Sequence, residues 1–257
     1  MVNLLLGDCL DLLPTIAEDS VDMLLVDLPY GTTACKWDSI IPFKLMWIEL
    51  QRIIKENKPI ILFGSEPFSS YLRTSNIEWF KYDWIWEKQR GSNFLNYKYQ
   101  PSKNYEIISV FSNGATSFVK NNSNCPYNPQ MVEGIPYEIK QGKGGDAVVR
   151  EGSRTGQNII TKNSGTRYPN AIQKFNSDKE KLHPTQKPVA LLEYLIKTYT
   201  KKNNTVLDFT MGSGSTGVAC KNLDRNFIGI ELDKKYFDIA KNRIELSNYQ
   251  SNLLSFS

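Results

Sequence analysis

A turn at Asp27-Leu28-Pro29-Tyr30 sets an acid, a backbone carbonyl and an aromatic ring side by side, directly after the apolar run Val21–Val26. The Asp27 carboxylate and the Leu28 carbonyl are two acceptors that can bind the two N–H groups of an amine. They would stabilise positive charge that develops on its nitrogen. The Tyr30 ring offers a face on which a planar ring can stack. Turn residues also cluster at strand ends for structural reasons, so the turn alone does not establish a site.

A second candidate site is the glycine-rich segment that follows the apolar run Val206–Phe209. Its glycines fit the pattern G-x-G-x-x-G: Gly212, Gly214 and Gly217. Ser215 stands where a hydroxyl can cap the first turn of a helix. The next apolar run ends in Glu231, at the position where an acid can take both hydroxyls of a ribose. This unit predicts a nucleoside-containing cofactor.

The residues around the glycine loop favour S-adenosylmethionine over NAD. A dinucleotide needs a second mononucleotide half, usually downstream, yet only 26 residues follow Glu231. Asp208, at the end of the preceding strand, is placed beside a methionine amino group. An NAD-dependent oxidoreductase remains the alternative from another enzyme class.

Short apolar runs alternate with helix-period segments along most of the chain. The predicted strands are Val21–Val26, Ile60–Phe63, Tyr82–Trp86, Glu106–Phe111, Val206–Phe209 and Phe227–Ile230. The predicted helices are Phe43–Lys55, Val189–Tyr199, Thr216–Leu223 and Lys235–Leu246. Continuously apolar strands that alternate with helices indicate a mostly parallel sheet covered on both faces. The predicted fold class is therefore α/β, doubly wound.

Between Ser112 and Leu182 this pattern fails, and Asn, Gly, Lys, Ser and Pro dominate. About seventy residues without a lasting period predict an inserted, partly irregular lobe. The segment holds ten Lys and Arg against six acids, an excess equal to the formal charge of +4 on the whole chain. The predicted organisation is one domain with a first half over residues 1–111, an insertion over 112–182 and a second half over 183–257.

The stretch from Trp86 to Asn104 interleaves basic residues with aromatics and amides in a predicted loop. This composition suits contact with phosphates and stacking on bases. The candidate nucleic-acid-binding residues are Lys88, Arg90, Asn93 and Lys98.

The composition argues against a metal site or a secreted disulfide scaffold. The four cysteines lie far apart without a C-x-x-C pair, as is ordinary for reduced thiols: Cys9, Cys35, Cys125 and Cys220. His183 is the single histidine, which excludes a histidine-based metal cluster. No uncharged apolar run approaches the ~20 residues that a bilayer requires, and no basic leader precedes the N-terminal apolar stretch. These features predict a soluble cytoplasmic protein without a membrane partner.

Four motifs in order resemble one family, the amino-methylating DNA methyltransferases. Asp27-Leu28-Pro29-Tyr30 resembles its Asp-Pro-Pro-Tyr motif, and the position of this motif before the glycine loop resembles the β group. G-D-C-L, from Gly7, resembles the segment that contacts the adenine of the cofactor. H-P-T-Q-K-P, from His183, resembles the motif that precedes the cofactor loop, and D-F-T-M-G-S-G, from Asp208, resembles the Phe-x-Gly-x-Gly motif. Ser112–Leu182 lies where the family has its target-recognition region.

The resemblance implies a Rossmann-like methyltransferase sheet, S-adenosylmethionine as cofactor, and a role for each matching residue. The implied cofactor-binding residues are Asp8, Thr185, Gln186, Lys187, Asp208, Phe209, Gly212, Gly214, Ser215 and Glu231. The implied catalytic residues are Asp27, Leu28, Pro29 and Tyr30. Leu28 stands where the family usually has proline, but it supplies the same carbonyl, and Pro29 still holds it extended.

The implied reaction is methyl transfer to the exocyclic amine of a base that has left the double-stranded DNA helix. Asp27 is typical of enzymes that modify adenine N6, with cytosine N4 as the alternative. A partner restriction endonuclease and a homodimer are further candidate partners, which no residue pattern in the sequence indicates. A non-catalytic DNA-binding module with the same fold is the third hypothesis.

Overall fold

The computed structural model describes residues 1–31, 39–117, 123–141, 159–178, 182–183 and 186–253. The chain divides into two compact units, a larger one of Met1–Asn128 with Ala171–Ser257 and a smaller one of Pro129–Asn170. Cys35 and Thr185 lie outside the described residues. No helix in the described ranges is both long and apolar enough to cross a membrane.

The predicted helices and strands agree with the structure to within about two residues at each end, except that α6 continues to Leu253, and the structure adds several short elements. The strands of the described residues are β1 (Val2–Leu6), β2 (Met23–Asp27), β3 (Ile60–Gly64), β4 (Phe80–Glu87), β5 (Tyr105–Phe111), β6 (Val132–Glu133), β7 (Tyr137–Gln141), β8 (Ile159–Asn163), β9 (Thr166–Arg167), β10 (Ile172–Lys174), β11 (Thr205–Asp208) and β12 (Asn226–Glu231). The helices are α1 (Cys9–Leu12), α2 (Phe43–Ile53), α3 (Phe68–Ser75), α4 (Val189–Tyr199), α5 (Ser215–Asn222) and α6 (Lys234–Leu253). The sequence did not predict β1, α3 or β10, because each is short or has few apolar positions.

The larger unit is built on a mixed sheet with the strand order β1-β12-β11-β2-β3-β5-β4-β10. Among these eight described strands, β5 alone runs antiparallel to its neighbours β3 and β4. This confirms the predicted α/β class with a mostly parallel, Rossmann-like sheet. The carboxyl ends of the parallel strands and the amino end of β5 therefore meet at one edge, where ligands bind in such folds.

The core lies on both faces of this sheet, as a doubly wound fold requires. Met23 and Leu25 of β2 belong to an apolar cluster with α4, α5 and α6. Leu24 and Val26 belong to a second cluster with α2 and α3. Because successive strand residues point to opposite faces, a strand buried on both sides must be apolar without interruption, as β2 is from Met23 to Val26.

The smaller unit consists of two antiparallel strand pairs, β6 with β9 and β7 with β8. The turn between β8 and β9 is closed by Asn163, whose side chain accepts from the Gly165 amide and donates to the Thr166 carbonyl. Gly165 has φ +102°, a conformation that other residues rarely adopt. Ser112–Asn128 and β10 lie in the larger unit, and the predicted insertion over 112–182 contains the whole smaller unit.

Candidate active site

A cavity opens at the carboxyl edge of the large sheet, next to the ends of β2, β11 and β12. It brings together twelve of the residues that the family resemblance implies: Asp8, Asp27, Leu28, Pro29, Tyr30, Gln186, Lys187, Asp208, Phe209, Gly212, Ser215 and Glu231. The Asp27 turn and the glycine loop, about 180 residues apart in sequence, therefore line the same cavity. Such a cavity can hold a cofactor and present it to a second substrate.

The Asp27 turn is fixed by hydrogen bonds from both sides. The Thr210 hydroxyl donates to the Asp27 carbonyl over 2.9 Å, which ties the turn to the glycine loop. The Tyr30 hydroxyl donates to Asp27 Oδ1 over 2.8 Å, and its ring packs on Phe68 with centroids 5.0 Å apart. Leu28 is buried in the core and is also among the residues that line the cavity.

Lys187, implied to bind the cofactor, lines the cavity and places its ammonium group against the acid of the turn. Its Nζ lies 2.5 Å from Asp27 Oδ2 and 3.3 Å from Glu106 Oε2. Glu106, at the start of β5, also forms an ion pair with Lys88. No motif contains Glu106, so sequence analysis did not assign it to the site.

Burial and neighbouring charges set the proton affinity of these groups. Burial raises the pKa of Asp27 above its usual range, with Lys187 opposing the rise and Glu106 adding to it. Burial opposes the charge on Lys187, but the carboxylates of Asp27 and Glu106 raise its pKa. Lys187 is therefore an ammonium group between two acids.

Glu231 ends β12 and supports the glycine loop. Its Oε2 accepts from the Gly212 amide and its Oε1 from the Asp233 amide, both over 2.8 Å. Gly212 has φ +52°, so the loop approaches the acid in a left-handed conformation. Burial raises the pKa of Glu231 while these backbone bonds oppose the rise. Each oxygen keeps a lone pair for a further donor.

Asp208 ends β11 and is buried, with its oxygens accepting from the Thr210 amide and the Thr216 hydroxyl. Burial raises the pKa of Asp208 to about 7. The predicted cap at Ser215 is wrong, because Gly214 is the N-cap and no side chain caps α5. The Ser215 hydroxyl accepts from Arg243 instead, over 2.8 Å.

Gly214 does not line the cavity but allows α5 to pack closely on α6. It has φ +78°, and a Cβ there would lie 2.9 Å from the Ala240 side chain.

Asp8 does line the cavity, and its side chain caps α1 by accepting from the Leu10 amide over 2.8 Å.

His183 and Tyr236 are cavity residues that the sequence did not assign to the site. The His183 ring meets the Tyr236 ring edge-on, with centroids 4.3 Å apart. Burial lowers the pKa of His183 to about 4, with the charge of Lys187 adding to the fall. His183 is therefore a neutral wall residue at physiological pH. Its position in the H-P-T-Q-K-P motif is the sequence feature that could have assigned His183 to the site.

The predicted nucleic-acid contacts lie on the loop between β4 and β5, outside the cavity wall. Asn93 closes this loop, since its Nδ2 donates to the Pro101 carbonyl and its Oδ1 accepts from the Lys103 amide. Arg90 and Lys98 are exposed, whereas Lys88 is partly buried beside Glu106.

Comparison with known proteins decides the family. Residues 21–242 match the N6/N4 methyltransferase family model, described as DNA methylase. The chain belongs to the N6/N4 DNA methylase family. Type II methyltransferase M1.MboII of Moraxella bovis is 28% identical to this methylase over 93% of this chain and 96% of its own. Type II methyltransferase M.HinfI of Haemophilus influenzae is 28% identical over 94% and 68% of the respective chains.

Solved structures agree on the fold of this methylase. The crystal structure of the M1.HpyAVI–SAM complex matches with a TM-score of 0.61 and 25% identity over 95% of this chain and 100% of that one. PvuII DNA methyltransferase, cytosine-N4-specific, matches with a TM-score of 0.65 over 94% and 86% of the chains, and at 14% identity it shows the fold alone. The protein is a DNA methyltransferase that uses S-adenosylmethionine, as the cofactor prediction stated. The NAD alternative is thereby set aside.

The cavity fits this cofactor on its own chemistry. S-adenosylmethionine carries a sulfonium and an ammonium group, and four acids line the cavity: Asp8, Asp27, Asp208 and Glu231. Two of them, Asp208 and Glu231, are buried at strand ends around the glycine turn, where a cationic amino acid and a ribose both find acceptors. Lys187 is the one Lys or Arg among the cavity-lining residues of the described chain, and it is already paired with Asp27.

Proposed function

We propose that this methylase transfers a methyl group to the exocyclic N6 amine of an adenine flipped out of double-stranded DNA. The observation that carries the proposal is that Asp27, in its turn with Leu28 and Tyr30, opens into the same cavity as the glycine loop and Glu231. An amine held at the turn therefore faces a cofactor held at the loop. S-adenosylmethionine supplies the electrophilic methyl group, whose bond to sulfur breaks so that S-adenosylhomocysteine is the leaving group.

Asp27 and Leu28 act on the amine. The lone pair of an exocyclic amine is delocalised into the base, and its nitrogen gains positive charge as it attacks. The Asp27 carboxylate and the Leu28 carbonyl accept hydrogen bonds from its two N–H groups and stabilise that charge where it develops. One N–H bond then breaks, and Asp27, whose pKa is raised by burial, is the stronger proton acceptor of the two.

Tyr30 has two functions in this proposal. Its ring provides a face for the flipped base, and its hydroxyl holds Asp27 Oδ1. The hydroxyl does not block the acid, because an ionised carboxylate has about four lone-pair sites. The implied roles of Asp8, Gln186, Asp208, Phe209 and Gly212 in cofactor binding stand as part of the same proposal.

Adenine is favoured over cytosine by the acid itself. In the family resemblance, Asp before the Pro-Tyr pair is typical of adenine enzymes and Ser of cytosine enzymes, and this chain has Asp27. Methylation of cytosine N4 is the second candidate, since its exocyclic amine also has two N–H groups and a delocalised lone pair.

The DNA duplex would contact the β4–β5 loop and the smaller unit. From Lys88 to Tyr105 the chain holds four Lys and Arg and no acid, and Arg90, Lys98 and the Phe94 ring are exposed. Basic side chains beside exposed rings suit phosphate contact and base stacking. The smaller unit falls in the segment proposed for target recognition. The Type II relatives favour a partner restriction endonuclease, and we retain a homodimer and a cytoplasmic location in the proposal.

The test is transfer of tritium from labelled S-adenosylmethionine to mixed-sequence duplex DNA, followed by digestion to nucleosides. Label in N6-methyladenine is the expected result. Label in N4-methylcytosine would replace adenine with cytosine, and cofactor binding without label in DNA would overturn the proposed reaction.

A further inference from the structure

A line of four side chains with alternating charge runs from the surface to the catalytic acid: Lys88, Glu106, Lys187 and Asp27. Lys88 pairs with Glu106 Oε1, Glu106 Oε2 lies 3.3 Å from Lys187 Nζ, and Lys187 Nζ lies 2.5 Å from Asp27 Oδ2. The side chain of Lys187 is 7% exposed and that of Glu106 is 14% exposed. The line thus places two buried charges directly behind the acid.

Stability alone does not account for these charges. Apolar side chains of similar size can replace a buried ion pair without loss of stability, because desolvation opposes the attraction between its members. The Lys187 ammonium also lies 5.1 Å from the Phe63 ring centroid, so an aromatic ring borders the buried charges. Glu106 does not line the cavity, so it acts on the reaction only through another residue.

We propose that Lys187 and Glu106 are positioning residues that set the orientation and the proton affinity of Asp27. Lys187 holds Asp27 Oδ2 and favours its ionised form. Glu106 holds Lys187 from the other side and weakens its pull, which leaves Asp27 basic enough to take a proton from the amine. The inference rests on the proposed function and adds the residues that control its proton acceptor.

The charges around Asp27 imply that losing Lys187 and losing the Glu106 charge have opposite effects on its ionisation. Lys187, from the segment before α4, is the cation in contact with it, and the Tyr30 hydroxyl of its own turn also favours ionisation. Glu106 from β5 is a like charge that disfavours ionisation of Asp27, and Asp27 in turn raises the pKa of Asp208 on β11. Loss of Lys187 should therefore make Asp27 harder to ionise, and loss of the Glu106 charge should make it easier.

The experiment is single-turnover methyl transfer, with saturating DNA and S-adenosylmethionine, measured against pH for the parent enzyme, Lys187→Met and Glu106→Gln. The rate follows the ionised fraction of Asp27, so it falls as pH drops through the Asp27 pKa. Lys187→Met should move this acid limb to higher pH, with a rate about 10–100-fold lower at neutral pH that recovers as pH rises. Glu106→Gln should move the limb to lower pH.

Three controls separate positioning from folding and from cofactor binding. Lys187→Arg keeps the charge and should return the limb towards the parental pH. Lys202→Met, which removes one partner of an exposed ion pair with Asp224, should leave the profile unchanged. Thermal unfolding and calorimetric cofactor binding are measured for every variant, and if Lys187→Met does not fold, the shift of Glu106→Gln decides.

The inference would be overturned if the acid limbs of the pH–rate profiles of folded Lys187→Met and Glu106→Gln stayed at the parental pH, or if both moved in the same direction. A Lys187→Met enzyme that loses only cofactor affinity would return Lys187 to the cofactor-binding role. A parent enzyme that transfers no methyl group to DNA would overturn the proposed function itself, a result distinct from an unshifted limb in an active enzyme.

Discussion

The carboxyl edge of the large sheet and the small strand-pair unit differ in how their side chains are held. At the edge, Asp27, Asp208 and Glu231 each end a strand whose preceding residues are mostly buried, so the sheet fixes their positions. In the smaller unit apolar side chains such as Ile135 and Ile160 are 83% and 51% exposed. The edge therefore has little freedom to vary, whereas the smaller unit can change its surface residues without loss of a core.

The largest effect is expected at Asp27. Asp27→Ala should lower the single-turnover rate by about 10²–10³-fold, because it removes a preorganised acceptor that acts on charge in the transition state. Calorimetric affinity for S-adenosylmethionine should change much less. Asp224→Ala, at an exposed acid, is the matched control. A folded Asp27→Ala enzyme with near-parental rate would show that the turn at the edge is only structural.

The strands and site residues at the carboxyl edge could be predicted from the sequence better than the strands of the smaller unit, for a physical reason. The Asp27 turn and Glu231 follow continuous apolar runs, so local sequence fixed both the strand and the residue at its end. Glu106 could not be predicted, because its contact with Lys187 depends on β5 pairing antiparallel with β3, and the two residues lie 81 positions apart. The cap expected at Ser215 failed because the left-handed Gly214 takes that position. In the smaller unit β6 and β9 have two residues each, too few to show a period.

A smaller effect is expected at Glu231, where the proposed contact is with the cofactor rather than with the reacting amine. Glu231→Gln should weaken S-adenosylmethionine binding by about tenfold or more, since a charge-assisted hydrogen bond contributes about 1.5–3 kcal/mol. The rate at saturating cofactor should change less than the affinity. Calorimetry on Glu231→Gln beside Asp224→Asn checks both points, and unchanged affinity in the folded variant would remove Glu231 from the cofactor site.

Tyr30→Phe probes the edge more finely, because it keeps the ring and removes only the hydroxyl bond to Asp27 Oδ1. Loss of one partly buried hydrogen bond of about 0.5–1.5 kcal/mol should lower the single-turnover rate by about 2–10-fold. Tyr30→Ala also removes the stacking face, and DNA affinity should then fall further, by about 1–3 kcal/mol. Equal DNA affinities for the two variants would argue against stacking of the base on Tyr30.

The smallest effect on stability is expected in the smaller unit, at Ile135. Ile135→Ser removes no buried contact, so the free energy of unfolding should change by less than about 0.5 kcal/mol. Ile61→Ser, at a fully buried position of β3, is the contrasting variant and should lose several kcal/mol, because it leaves a cavity and an unpaired hydroxyl. Denaturant unfolding measures both. If Ile135→Ser lost as much stability as Ile61→Ser, this surface would be part of the core and the contrast between the two regions would fail. A variant with parental stability but weaker DNA binding, by contrast, would connect the exposed apolar surface of the smaller unit to target recognition.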